Sequence, residues 1–596
     1  LFLVCCFKLE TQNYKLETYQ TAKLATEKMD LQPRDLYHTL EFDKVIELIA
    51  RECMGELGIA EVEAIAPTSD STTIDRLLRE VKELKLSIHK NDKFPVYKYF
   101  EINQELKMLA IEGYVIPVEG LQKINSVLVF IRDIYRFFNA ARREVYPNLY
   151  NIIRPIVFDE DLLKAINRVI DDEGKIRPDA SPELARIRRS INARQKDLDK
   201  EFRAIISQLR SKGWLTDNEE SFRNGRRVLS VPSEHKRKIR GIIHDESATG
   251  RTTFIEPEGV IEINNDIFDL EQEERREVYK ILKALSEILR PYTPRLLDYQ
   301  TLATRFDVIQ AKARVAILMN ATMPIVKDHP RFGILKGYHP LLWLKNQGTD
   351  KKTIPFDLWL LRENRVLVIS GPNAGGKSVT MKAAGLLQLM LQCGLLVPVS
   401  ELSEMGIFDS IFADIGDQQS LEDDLSTYSS RLKNMRTFLD KATPNTLILI
   451  DEFGSGTDPV IGGAIAEAIL KELNERNVYG VITTHYSNLK VFAFQTKGLV
   501  NGCMVFDKEH LRPTYEMQIG RPGSSYAFEI AEKSGLGKKV LDHARHRTGK
   551  NEKAVDELLV DLQREKKETE DLLVELRDKQ RNLDKLIKNY DELHKE

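Results

Sequence analysis

The stretch Arg365 to Thr380, RVLVISGPNAGGKSVT, constrains this chain more than any other. Val366 to Ser370 has the composition of a buried strand. It runs straight into Gly371-Pro372-Asn373-Ala374-Gly375-Gly376-Lys377-Ser378, and an apolar helical pattern comes next, so the order is strand, glycine loop, helix. Glycines at 371, 375 and 376 let successive backbone N–H groups turn inward on a polyphosphate with no side chain in the way, and the helix after them offers the positive end of its dipole. Lys377 is then placed to reach the β and γ phosphates, and Ser378 to put its hydroxyl on a magnesium ion. A glycine-rich turn with a chance lysine is the alternative, and the full G-x-x-x-x-G-K-S spacing between a strand and a helix tells against it.

A second strand supports the same chemistry. Thr446 to Ile450, TLILI, is too apolar to be anything but buried, yet it ends in Asp451-Glu452. A buried strand does not carry two carboxylates unless they serve something at its C-terminal edge. Beside a phosphate loop, the first would hold magnesium through water and the second would orient the attacking water. Tyr479 to His485 is a third strand ending in a histidine able to donate to the γ phosphate. Alone, that histidine would read as structural; after two matching motifs, it reads as functional.

With 596 residues the chain should form several domains. Charged residues make up 30% of it while the formal net charge is only -3, so any nucleic-acid surface must be local. Cysteines at 5, 6, 53, 393 and 503 have neither metal-ligand spacing nor a disulfide pattern, which points to a cytosolic setting. No apolar run approaches the roughly 20 residues that cross a bilayer. Leu1 to Phe7 is apolar but short, with no basic segment before it and no small-residue cleavage site, so residues 1–29 are expected to be a non-native or disordered upstream extension of a fragment.

Residues 30–180 read as all-α. Leu36 to Ala66 fits one amphipathic helix stopped by Pro67, and further helical segments run to about Phe138 with breaks at Pro117 and Pro147. Pro182 to Ser211 is a long helix opened by Ser181 as a cap, and a matching one runs from about Gly259 to Leu289. Between them, Ser221 to Pro257 has β-like runs at Arg227 to Val231, Lys238 to His244 and Thr252 to Ile255, with turns at Asn224-Gly225 and Thr249-Gly250. It is basic: Arg223, Arg226, Arg227, Lys236, Arg237, Lys238, Arg240 and Arg251 stand against Glu234, Asp245 and Glu246. Residues 181–295 would thus be two helices carrying a basic β insert (about 212–258), an arm suited to gripping a phosphate backbone without reading sequence. A solvated hairpin is the alternative. Helical pattern resumes over 296–330, an α/β domain occupies 331–548, and 549–596 reads as a polar-studded coiled coil or an isolated charged helix.

Several motifs together name a family. GPNAGGKS, LILIDEFGSGTDP from Leu447 to Pro459, ITTHY from Ile482 to Tyr486 and IGRPGSSYAFEIA from Ile519 to Ala531 resemble the ATPase domain of the MutS family, over about Arg331 to Leu541. The long helices around a basic β module resemble that family's lever and clamp. Mismatch-reading members carry a Phe-x-Glu domain and a connector before the helical core, which here starts almost at once after Met29; Phe158-Asp-Glu160 and Phe254-Ile-Glu256 are chance matches in the wrong place. Tyr37 to Val45, the Lys-Ser-Val-Thr loop ending and Ile411 to Ser420 resemble the second bacterial branch of the family.

The resemblance implies an all-α core and lever helices with a small β clamp, then an α/β P-loop ATPase of ABC type, then a coiled coil. It implies ATP and Mg2+ as cofactors, Gly371 to Ser378 around the phosphates, Ser378 and Asp451 at the metal, and Glu452 and His485 in catalysis. It also implies a homodimer, with Ser426 of one subunit reaching the γ phosphate held by the other and Gly520 to Ala531 as a dimerising helix-turn-helix. That branch is associated with suppressing recombination by binding branched DNA and with splitting collided ribosomes. It ordinarily continues past the coiled coil into a small Smr nuclease domain. The expected function is therefore a DNA-binding clamp ATPase acting on branched or mismatched DNA, with a ribosome- and rRNA-directed ATPase as the alternative. A chromosome-organising ATPase would need a much longer coiled coil and a Leu-Ser-Gly-Gly signature, which the sequence lacks.

Overall fold

Chain order puts a surprise first. The computed structural model describes residues 29–171, 173–372, 375–416, 427–507, 512–523, 531–532 and 534–547, with isolated positions at 528, 572, 576, 579 and 580. It opens not on a helix but on β1 (Asp30–Gln32), so the all-α reading of residues 30–180 is corrected at its start. The expected single helix from Leu36 to Ala66 is three, Leu36–Thr39, Phe42–Arg51 and Glu56–Glu63. Glu41 turns left-handed between the first two (φ +60°), and the buried Asp307 carboxylate accepts from Met54 N (2.8 Å) and Gly55 N (2.9 Å) at the start of the third. A distant acid holds the chain at that break, so local pattern could not place it. Helices Ser71–His89, Asn103–Leu109, Val118–Phe137, Ala140–Val145, Pro147–Ile153 and Glu160–Val169 complete this region.

The arm keeps closely to its sequence pattern. Pro182–Arg210 begins at a Ser181 hydroxyl that accepts from Leu184 N at 3.0 Å, and it runs alongside Glu258–Leu289. At its far end β2 (Glu220–Arg223), β3 (Arg226–Pro232), β4 (Gly241–Glu246) and β5 (Thr252–Pro257) form an antiparallel sheet in the order β2-β3-β5-β4. Asn224 and Gly225, both at positive φ, close the β2–β3 hairpin, the backbone that an Asn-Gly turn favours. Leu229, Val231 and Ile255 pack onto Leu198, Phe202, Leu209 and Val260. Ser233–Lys238 is a 3₁₀ helix, so Lys238 belongs to a turn rather than to the strand expected of it.

After the helix Thr293–Leu318 come β6 (Ile325–Lys327), β7 (Phe332–Gly337), the helix Pro340–Asn346, β8 (Phe356–Leu360), β9 (Asn364–Ser370), the helix Lys377–Gln392 and β10 (Glu404–Gly406). The remaining strands are β11 (Ser410–Asp414), β12 (Thr446–Ile450), β13 (Tyr479–Thr483), β14 (Gly498–Asp507) and β15 (Arg512–Ile519). A small sheet, β6-β10-β7-β8, stands beside a seven-stranded one ordered β1-β11-β12-β13-β9-β14-β15. The large sheet is parallel except at β15, and its first strand is β1, paired Asp30 to Ser410.

Alternation along the strands divides the apolar residues between two layers. Leu367, Ile369, Leu447, Leu449 and Val481 point to the face covered by Lys377–Gln392, in a core continuous with Leu40, Phe42, Leu302 and Phe306 of the helical region. Val366, Val368, Ile448, Ile450 and Ile482 point to the other face, where they meet residues of the helices Thr427–Lys441, Pro459–Glu475 and Ser487–Gln495. Polar ties reinforce the first layer: Gln392 Nε2 donates to Thr68 O (3.0 Å) and Phe408 O (2.8 Å), and Thr68 N donates to Gln392 O (3.1 Å). The molecule is therefore multidomain, with helical and mixed-sheet regions sharing one core. Among the described residues no helix is long and apolar enough to cross a membrane.

Candidate functional site

Parallel strands deliver their C-terminal residues to one edge of a sheet, and here that edge collects the polar groups. The loop after β9 passes Gly371 (φ +131°) and Gly376 (φ +95°) before the helix Lys377–Gln392, which starts with no side-chain cap. Only glycine sits easily at such angles. Lys377 is buried; its Nζ donates to Gly371 O at 2.5 Å and lies 3.4 Å from His485 Nε2. Burial pushes its ammonium down to about 8, with Lys490 adding to the push and Asp451 and Glu452 opposing it.

Asp451 stands just past β12 and is fixed from two sides. Ser378 Oγ donates to its Oδ1 at 3.0 Å and Thr483 Oγ1, from the end of β13, at 2.5 Å. Glu452 N in turn donates to Thr483 Oγ1 at 2.8 Å. His485 stands two residues beyond β13, and burial, helped by the Lys377 charge, holds its imidazole below the usual range, so at neutral pH it is an uncharged donor or acceptor. Asp414, at the end of β11, has its carboxyl pushed up by burial; Asn434 and Arg431 oppose that shift and Asp451 adds to it. Ser378 and Asp451 are hard oxygen ligands of the kind magnesium takes, and the uncapped helix start beside Lys377 suits a polyphosphate.

The structure thus brings Gly371, Pro372, Gly375, Gly376, Lys377, Ser378, Asp451, Glu452 and His485 to one edge. Asn373, Ala374, Ser426, half of the Gly520 to Ala531 motif and the expected coiled coil over 549–596 lie outside the described residues, four single helical positions in the last apart. Sequence reasoning missed Thr483, Asp414, Arg431, Lys490 and Tyr515. Lys490 is buried with its Nζ donating to Gly523 O at 2.9 Å, while Gly523 N donates to Ser370 Oγ at 2.7 Å. A Cβ at Gly523 would stand 2.5 Å from the Ser370 carbonyl oxygen, so only glycine permits this approach. Beside Gly376, Val379 and Thr380 opens a cavity of ≈ 680 Å³, walled also by Ile354, Phe356 and Tyr515. Tyr515 holds a left-handed backbone (φ +61°) in the irregular pairing of β14 with β15.

The arm distributes its charges differently from the sequence reading. Arg226 Nη1 donates to the fully buried Glu256 at 2.8 and 3.1 Å, and His244 Nε2 (2.6 Å) and Asn264 Nδ2 (2.7 Å) share that carboxylate. Arg227 pairs with Asp199 and Glu220, Arg223 with Asp245 (3.2 Å) while lying 3.8 Å over Phe254, and Lys236 with Glu246 (2.9 Å). Arg237, Lys238 and Arg240 are exposed, and no ion pair ties them among the described residues. Lys212 and Lys238 flank the Trp214 ring at 5.1 and 5.4 Å, an aromatic-basic cluster the sequence reading also missed. Both Phe-x-Glu tripeptides are structural: Phe254 lies under Arg223, and Phe158 stands 5.8 Å from Tyr135 and 5.6 Å from Tyr299.

An open, mainly parallel α/β sheet with its polar residues gathered at one edge, joined to a helical core and a two-helix arm, defines the class. Residues 367–552 match the family described as MutS domain V. The chain is 37% identical over 510 residues to Endonuclease MutS2 of Finegoldia magna, 36% over 510 to that of a Geobacillus species and 38% over 506 to that of Pelotomaculum thermopropionicum. Each alignment covers 85% of this chain and 63–64% of the relative, so the chain spans just under two thirds of the length of these proteins. It belongs to the MutS family, on its MutS2 branch.

Proposed function

We propose that this chain is a magnesium-dependent ATPase that engages DNA through its arm. The observation that carries the reading is the convergence of Lys377, Ser378, Asp451, Glu452 and His485 on one sheet edge beside an uncapped helix. In this reading Lys377 and the loop amides hold the phosphates, and Ser378 and Asp451 hold magnesium, which supplies charge neutralisation at the phosphoryl group. Glu452 orients water and His485 donates to the γ phosphate. The adjoining cavity takes the base, with Tyr515 as a stacking surface.

DNA enters through the free cations. Arg237, Lys238, Arg240 and Lys212, with Trp214 among them, offer charge to phosphodiesters, whereas Arg226 and Arg227 serve the module's own packing. Branched DNA as the substrate, recombination control and a homodimer joined through Ser426 extend this reading. Endonuclease activity, which the relatives carry in their name, is proposed for the whole protein and assigned to no residue described. The ribosome-directed alternative draws support from none of these observations.

The test is ATP turnover by Glu452→Gln. The variant should keep magnesium-dependent ATP binding and lose hydrolysis by about 10²-fold or more, the usual scale of general-base loss. Turnover at the wild-type rate would sink the assignment.

A further inference from the structure

We propose that Arg431 is a positioning residue for Glu452, acting through that residue's main chain; this rests on the reading of Glu452 as the group that orients the attacking water. Arg431 lies on the second turn of Thr427–Lys441. The helix is anchored by Met435 and Phe438, the latter stacked on Phe412 of β11 at 5.3 Å. Arg431 Nη1 donates to Glu452 O at 3.0 Å and to Ser455 Oγ at 2.7 Å. Its Nε stands 3.7 Å from Asp414 Oδ2, a carboxylate whose other oxygen accepts from Asn434 Nδ2 at 2.8 Å. The side chain is 13% exposed, so these groups, rather than water, set its position.

What it grips is a strained turn. Glu452 has φ +47°, a region few non-glycine residues enter, and Gly454 (φ +91°) and Gly456 (φ +97°) continue the left-handed path. Such a conformation persists where the surroundings over-determine it. Thr483 Oγ1 holds the N–H of Glu452 and Arg431 holds its carbonyl, so the residue is pinned at both ends. Without Arg431 that carbonyl keeps only the turn's own Ser455 N–H, at 3.1 Å; the backbone is then free to relax toward ordinary φ, and the carboxylate leaves the edge where Lys377, Ser378 and His485 meet. Among the described residues, Arg431 supplies the only side chain hydrogen-bonded to that carbonyl.

The experiment is a double-mutant cycle on the full chain, reading kcat for ATP and the dissociation constant for ATP with magnesium. Arg431→Ala should lower kcat by about 30-fold, the scale on which misplacing a reacting group acts, with the ATP dissociation constant changed less than about threefold. In the Glu452→Gln background the same change should cost less than about twofold more, because its target is already gone. Arg431→Gln, whose amide can still donate to the Glu452 carbonyl, covers the case of an unfolded alanine variant and should recover part of the rate. Losses that multiply in a double variant built on either Arg431 change, or a wild-type kcat in Arg431→Ala, overturn the proposal. Wild-type turnover in Glu452→Gln alone overturns the underlying reading without any change at Arg431, which keeps the two failures apart.

Discussion

The edge of the large sheet and the β module of the arm both announce themselves in the sequence as clusters of charge, and the structure treats them oppositely. At the sheet edge, charged groups from loops far apart in sequence, Lys377, Asp451 and Glu452, are brought together facing one space. In the arm, Arg223, Arg226, Arg227 and Lys236 are turned onto Asp245, Glu256, Asp199, Glu220 and Glu246, which leaves Arg237, Lys238 and Arg240, in and just past the 3₁₀ turn, to face solvent. Charge in a motif is held by backbone geometry that the motif itself encodes. Charge in a run is held by whatever partners the fold supplies, and Asp199 sits on a helix outside the run altogether.

Glu256 is where the arm holds its charge most tightly. Glu256→Ala should leave the half-buried Arg226, with His244 and the buried Asn264, without their shared acceptor and cost about 3 kcal/mol of module stability, measured by thermal and urea unfolding, while ATP turnover is little changed. A near-neutral result would mean that Arg226 is free to act elsewhere. Lys377→Ala should lower ATP affinity by about 100-fold in a fluorescent-nucleotide titration, close to 3 kcal/mol, and unchanged binding would remove the edge from consideration. The triple variant Arg237→Ala, Lys238→Ala, Arg240→Ala should weaken junction DNA binding by about tenfold or more and reduce the salt slope by up to about 3, as loss of three phosphate contacts predicts.

Acidity gives a smaller and more diagnostic effect. In the free protein Lys377 sheds its proton near pH 8, and a bound polyphosphate favours the charged form. ATP affinity should therefore hold below about pH 7.5 and fall as pH rises through 8, by at most about tenfold per pH unit. Affinity that is flat from pH 7 to 9.5 would show the lysine to be ordinary. The smallest effect is expected from Arg227→Ala, below about twofold on DNA affinity, since Asp199 and Glu220 already neutralise it.

Legibility divides along the same line. β9, β12 and β13 stand where their sequences place them, because a buried parallel strand is nearly all apolar and its polar ending is conspicuous. The arm helices were readable from Ser181, Pro182 and a stripe of apolar residues. Thr483 and Lys490 were not, since a hydroxyl inside a strand and a lysine on a helix mean nothing until Asp451 and Gly523 are seen beside them. Nor was Tyr515, whose backbone is turned by a pairing irregularity between β14 and β15. The helix break at Met54 depended on Asp307, a partner far along the chain.

The pairing of β1 with β11 has a consequence for how the molecule is made. Asp30 lies opposite Ser410, so the outer strand of the large sheet is synthesised long before the strand it joins. At about 5–20 residues per second, the ribosome delivers β11 some tens of seconds after β1. The helical region can gather its own core in that interval, while the edge of β11 must find a segment already attached to a folded body. The domain that carries the glycine loop is therefore closed at one side by a strand translated well before the rest of it, and its sheet is not completed in the order of translation.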